Sequence, residues 1–347
     1  MRALSALVLA LLLGGCAAPT QPPATSETIP APSAPTPAQP RLAADLRAVA
    51  ADLRDNHDGE VYAGAVAGTR AEDLAIALTL VDGRTLEVGR TDTRFPLMSV
   101  SKPFTYALAL EQRGAGFMRA RIGTNATGLP YNSLAAGAIR PSTAQNPLVN
   151  AGAIATHSYL RGPDPATKRA RLLEFYARLA GRPLAIESAW RATPRAQTYA
   201  LAYQMQAAER LEGEVEDAVS RYLEACIVAV DVAALAHMGA TLANAGIAPG
   251  GDERIITAAH ARDVLALMTI AGMYEDSGRW WQRVGLPAKS GVSGAILAVV
   301  PGWGAIAAYS PRLDAAGNSV RAALAIEQLA TRWRLHGVER LLAAPAR

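Results

Sequence analysis

Two cysteines in 347 residues leave little for disulfide chemistry. Cys16 lies near the N-terminus and Cys226 stands alone in the apolar stretch Cys226-Ile227-Val228-Ala229-Val230, so no disulfide framework is expected and Cys226 reads as a core residue. Histidine is scarce as well. His57, His157, His237, His260 and His336 fall at no metal-ligand spacing, which argues against a zinc site or a histidine-based triad. Neither a metal nor a cofactor is therefore expected. The net charge is only +4, with arginine and lysine scattered rather than clustered, so nothing points to nucleic acid as a partner. No internal repeat is visible.

The N-terminus shows three zones of composition. Arg2 precedes an apolar run from Ala3 to Leu13, closed by Leu13-Gly14-Gly15-Cys16, a secretory signal over residues 1–16 that is too short to span a bilayer as a stable helix. The surroundings of Cys16 resemble a bacterial lipobox, which implies lipid attachment at Cys16. The protein is then expected on a membrane of the bacterial cell envelope, its domain facing the periplasm or the exterior. Residues 17–41 are mostly proline, alanine, threonine and serine and read as a disordered tether. Residues 42–340 suit one large domain or two closely packed subdomains. The oligomeric state stays open, a homo-oligomer included.

Within that domain, Leu42–Arg54 has the period of an amphipathic helix. Leu74–Val81 and Thr85–Arg90 alternate around Asp82-Gly83, a hairpin signal, and Gly294–Val300 and Ala305–Ser310 form a second hairpin around Pro301-Gly302-Trp303-Gly304. Between them the pattern predicts helices over 150–160, 166–181, 196–211, 215–246 and 257–272, and Asn318–Arg334 closes the chain as a helix. Strands near both ends with helices between predict an α+β fold: one antiparallel sheet flanked by terminal helices, plus a helical subdomain.

The chemistry lies in Ser99-Val100-Ser101-Lys102, placed at the start of a predicted helix. A serine hydroxyl is a poor nucleophile without a base beside it. Positions i and i+3 of a helix share a face, so Lys102 can bring its amine to Ser99. That amine acts as a base only where burial or nearby cations lower its pKa. Far downstream, Lys289-Ser290-Gly291 supplies the K-[ST]-G strand that usually walls such a serine–lysine site.

Longer segments carry a resemblance. They are Phe95-Pro96-Leu97-Met98-Ser99-Val100-Ser101-Lys102, Gly128-Leu129-Pro130-Tyr131-Asn132-Ser133, Asn146-Pro147-Leu148-Val149-Asn150-Ala151-Gly152-Ala153-Ile154 and Tyr222-Leu223-Glu224-Ala225-Cys226. Further on come Leu242-Ala243-Asn244-Ala245-Gly246, Gly272-Met273-Tyr274 and Val284-Gly285-Leu286-Pro287-Ala288-Lys289-Ser290-Gly291-Val292. From about Asp73 to Trp333 the chain resembles the serine-dependent glutaminases of the β-lactamase and penicillin-recognising superfamily. The resemblance implies a β-lactamase/transpeptidase-like fold and hydrolysis of a small side-chain amide, glutamine or a relative, through a serine acyl-enzyme. It casts Ser99 as nucleophile, Lys102 as base and Tyr222 as an aid to proton movement. Asn150 and Tyr274 line the substrate site, Lys289 and Ser290 belong to its third wall, and the Val292 N–H joins that of Ser99 in an oxyanion hole.

One part of the pattern departs. Counting back from Tyr222 without gaps puts Arg191 and Thr198 where the family carries a glutamate and an asparagine that bind the amino-acid end of glutamine. A local insertion could bring Glu187 or Gln197 there instead, but no clean register does so. An α-ammonium without its carboxylate is costly to bury, so free glutamine is expected to be a poor substrate. Two other classes stay open: a binding protein that kept the fold but lost activity, and a β-lactam-directed serine hydrolase. Against the last, no S-x-N or Y-x-N element lies between Lys102 and Lys289.

Overall fold

Asp82-Gly83 and Pro301-Gly302 each turn a buried strand back on its neighbour, and the two hairpins join in one sheet. The computed structural model describes residues 39–139, 145–190 and 196–343. The expected signal segment with Cys16, the tether as far as residue 38, and Arg191 lie outside these residues. The sheet is antiparallel throughout, in the order Thr85–Gly89, Ala75–Leu80, Gly304–Tyr309, Ala295–Val300, Ala288–Gly291.

Successive side chains of a strand point to opposite faces, and the composition here sorts accordingly. Ile76, Leu78, Ile296, Ala298 and Ile306 bury against Leu42, Leu46 and Val49 of helix Gln39–Asp52 and Ala322, Ile326 and Leu329 of helix Val320–Arg332. Ala75, Ala77, Leu297, Val299, Ala305 and Ala307 face the other way, into the larger core shared with helix Val232–Ala243 and the helical subdomain. Small residues on this second face let that helix lie close to the sheet. The two terminal helices are tied by Trp333, whose indole N–H donates to Asp45 Oδ2 at 2.8 Å. The α+β architecture read from the sequence is the one found. The first helix begins at Gln39, slightly inside the expected tether, with Pro40 in its first turn, where no backbone N–H is needed.

The long helix expected over 215–246 is two helices, Val215–Cys226 and Val232–Ala243, separated by the strand Val228–Val230. β-branched Ile227, Val228 and Val230 favour the extended form, and Asp231 starts a new helix by accepting the Ala234 N–H at 2.9 Å. That strand matters for the site. It pairs with Phe95–Pro96 and Ala185–Ile186 in a small sheet that the periodicity did not reveal. The Leu97 N–H then donates to Val228 O at 3.0 Å, which fixes the chain two residues before Ser99.

Candidate active site

Met98–Val100 forms one 3₁₀ turn that runs directly into helix Ser101–Arg113. Met98 holds φ +45°, a left-handed conformation that a non-glycine residue adopts at a cost, so the surrounding contacts over-determine it. The Ser101 hydroxyl helps by donating to Met98 O at 2.7 Å. On the next turn Lys102 Nζ reaches Ser99 Oγ at 2.9 Å and Asn150 Oδ1 at 2.7 Å. The i,i+3 expectation is met within ordinary hydrogen-bond distance.

Asn150 opens helix Asn150–Ser158. That helix sits tightly against the preceding loop because residue 152 is glycine: a Cβ there would come within 2.1 Å of Asn146 O and 2.2 Å of Gln145 O. The Tyr222 hydroxyl, from helix Val215–Cys226, donates to the same Asn150 Oδ1 at 3.0 Å. With its oxygen committed to two donors, Asn150 has its NH₂ left to offer a ligand. Strand Ala288–Gly291 approaches from the far side. A Cβ at Gly291 would stand 3.0 Å from Val100 Cγ2 and 3.2 Å from Leu97 O, so glycine permits the contact that brings Val292 to the cavity of Ser99.

Burial sets the electrostatics. Lys102 is 1 % exposed, and loss of hydration brings its pKa down to about 8. Lys289 is wholly buried, and its pKa falls well below the ordinary lysine value, first through burial and then through the charge of Lys102. Burial, followed by the neighbouring Cys226, Tyr274 and Tyr131, holds the Tyr222 phenol far above its ordinary pKa, so it remains a neutral donor. His157 packs edge-on to Tyr222, and burial together with Arg221 and Lys102 keeps it uncharged near neutral pH. Above this floor opens a cavity of about 450 Å³ lined by Ser99, Asn150, Tyr222 and Val292 and, further out, by Tyr131, Trp190 and Thr198. Among the described residues no group of acids, histidines and cysteines could hold a metal ion.

The family model described as Glutaminase matches residues 60–337. The chain belongs to the glutaminase family. It is 41% identical over 272 residues to a glutaminase of Colwellia psychrerythraea, covering 78% of this chain and 88% of that protein. A glutaminase of Trichormus variabilis is 36% identical over 278 residues, covering 79% and 83%. Among solved structures, the probable glutaminase ybaS superimposes with a TM-score of 0.83 at 34% identity, over 86% of this chain and 98% of that one. The crystal structure of Mglu in its glutamate form gives 0.80 at 34% identity, over 86% and 69%.

Of the residues singled out in this glutaminase sequence, Ser99, Asn150, Thr198, Tyr222 and Val292 line the cavity, with Lys102 directly beneath. Lys289 and Ser290, which the resemblance casts as part of the third wall, lie behind the cavity. Both are 0 % exposed and outside the lining, because strand Ala288–Gly291 is covered by the loop around Gly272 and by Tyr274. Lys289 Nζ donates to Gly272 O at 3.0 Å and to Ser290 O at 2.6 Å, and it lies 4.2 Å from the centre of the Tyr274 ring. Tyr274 is likewise behind the lining rather than in it. Its hydroxyl donates to Ser290 O at 3.1 Å and its ring packs 4.7 Å from that of Tyr131. Tyr131, Asn132 and Trp190 join the lining without having been singled out. The Gly-Leu-Pro-Tyr-Asn-Ser segment signalled the first two, whereas nothing local marks Trp190.

Proposed function

We infer that this protein hydrolyses the side-chain amide of glutamine to a carboxylate and ammonia through an acyl-enzyme on Ser99. The observation that carries the reading is the buried amine of Lys102, 2.9 Å from the Ser99 hydroxyl at the floor of a substrate-sized cavity. Once neutral, that amine takes the hydroxyl proton as Ser99 Oγ bonds to the amide carbon. The backbone N–H groups of Ser99 and Val292 receive the developing oxyanion, each such donor commonly being worth about 3 kcal/mol. The carbon–nitrogen bond then breaks. The leaving nitrogen takes a proton from the Lys102 ammonium, assisted by the neutral Tyr222 phenol, and departs as ammonia. Water adds to the ester, Lys102 accepts its proton, and cleavage of the ester restores Ser99 and releases the acid. Asn150 holds Lys102 and Tyr222 in register and presents its NH₂ to the substrate.

The same reading extends to location. The Leu13-Gly14-Gly15-Cys16 pattern and the proline-rich residues behind it support a lipid anchor at Cys16, with the enzyme tethered to the bacterial cell envelope. The catalytic reading is tested by Ser99→Ala. Release of ammonia from a glutamine side chain is expected to disappear while the thermal midpoint stays near that of the wild type. Full turnover by the alanine variant would overturn it.

A further inference from the structure

Away from Ser99 the cavity is unusual in what its wall lacks. The described lining contains no aspartate and no glutamate. Glu187, next in sequence to the lining residues Ser188, Ala189 and Trp190, stays outside it and accepts the Ala189 N–H at 3.4 Å. The two stretches of the domain outside the described residues carry no acid in their sequence. Residues 140–144 are Arg-Pro-Ser-Thr-Ala and 191–195 are Arg-Ala-Thr-Pro-Arg. Among the described lining residues the polar groups are neutral, and Gln197 is already closed onto Asn132 by hydrogen bonds of 3.3 and 2.9 Å. At the floor, Lys102 is a cation whenever it is protonated.

A free α-ammonium entering this cavity would lose water without meeting a counter-charge, and would approach a lysine of its own sign. An acylated α-nitrogen is uncharged. It offers one N–H and one C=O, which neutral partners such as Thr198 can satisfy, and its acyl group can lie on Trp190, Leu201 and Val66. Room is available, since about 450 Å³ falls within the ~300–1,000 Å³ of pockets that enclose drug-sized ligands. We propose that the preferred substrate is a glutamine whose α-nitrogen is acylated, peptide-bound glutamine included, rather than the free amino acid. This rests on the reading of the cavity as a glutamine-amide hydrolase site.

The experiment measures ammonia release by the purified protein from L-glutamine, N-acetyl-L-glutamine and glycyl-L-glutamine. Near neutral pH, kcat/KM is expected to be at least tenfold higher for the two acylated substrates than for the free amino acid. The ratio of N-acetylglutamine to glutamine should fall as pH rises through the titration of the free α-amine. The base role of Lys102 is common to both substrates and cancels in that ratio, while loss of its charge relieves only the free amine and so moves the ratio in the same direction. Thr198→Glu, which places a carboxylate in the wall, should narrow the ratio at least tenfold. Free glutamine turned over as well as the acylated substrates would overturn the proposal and leave the catalytic reading intact. So would a preference that ignored both pH and the Thr198→Glu carboxylate. Ammonia from none of the three would instead overturn the catalytic reading itself.

Discussion

Lys102 gives the sharpest test of how burial creates the chemistry. An exposed lysine with its ordinary pKa near 10.5 is almost entirely protonated at pH 7, whereas one held at about 8 is neutral in about a tenth of the molecules. Bringing the amine down to about 8 is worth about 3 kcal/mol and raises the population of usable base a few hundredfold. Its cause is loss of hydration, not an adjacent charge, so the effect should survive high salt. Because the reactive form is the deprotonated one, kcat/KM should climb as pH rises through about 8 and level off above it. The assay is ammonia release across pH 6–10 on N-acetyl-L-glutamine, which has no amine of its own to titrate. Lys102→Arg keeps a cation beside Ser99 and Asn150 but cannot deprotonate in this range, and it should lose at least about a hundredfold in kcat. A profile flat through the region of 8, or an arginine variant with near-normal turnover, would refute the reasoning.

Three further outcomes follow from particular contacts. Tyr222→Phe removes the hydroxyl that meets Asn150 Oδ1 at 3.0 Å; kcat should fall by about a hundredfold, with a loss of only about 1 kcal/mol of stability in denaturant titration. Gly152→Ala would drive a methyl into two backbone carbonyls that cannot rotate aside, so a cost of about 1–3 kcal/mol and a lower thermal midpoint are expected, together with reduced kcat as Asn150 shifts. Cys16→Ser should move the protein from the membrane to the soluble fraction or leave it unprocessed, as read by fractionation and mass; wild-type protein found wholly soluble would count against the anchor.

What could be read in advance followed the range of the interactions involved. The sheet was legible because each hairpin is closed by local turn chemistry and its strands carry a simple alternation. The Ser99–Lys102 pair was legible because it depends on one helical turn. The strand at Val228–Val230 was not, since an apolar run of three residues between helical patterns has no period of its own. Its identity comes from pairing with Phe95–Pro96, more than 130 residues earlier in the chain. The burial of Lys289 was not legible for a related reason. A lysine beside a strand edge is ordinarily solvated, and only the packing of Gly272 and Tyr274 over the edge shows it to be a buried prop.

The same distinction separates reaction from specificity in this protein. Nucleophile and base sit on one short segment, so their geometry changes little when distant loops change. The wall that receives the rest of the substrate is assembled from four separate stretches: Tyr62–Ala67, Tyr131–Asn132, Ser188–Trp190 and Gln197–Leu201. Only Tyr131 among these stretches is tied to the catalytic floor, its carbonyl accepting the Asn150 N–H at 2.9 Å. Side-chain changes elsewhere in the wall thus alter charge and shape away from Ser99 and Lys102. Thr198 shows the consequence. It lies in the wall where the family pattern led one to expect an asparagine, and its side chain is shorter and carries a single hydroxyl. A hydrolase of this design can therefore keep its chemistry while its preferred amide changes, and the absence of an acid from the described lining is the feature on which the proposed preference for an acylated α-nitrogen rests.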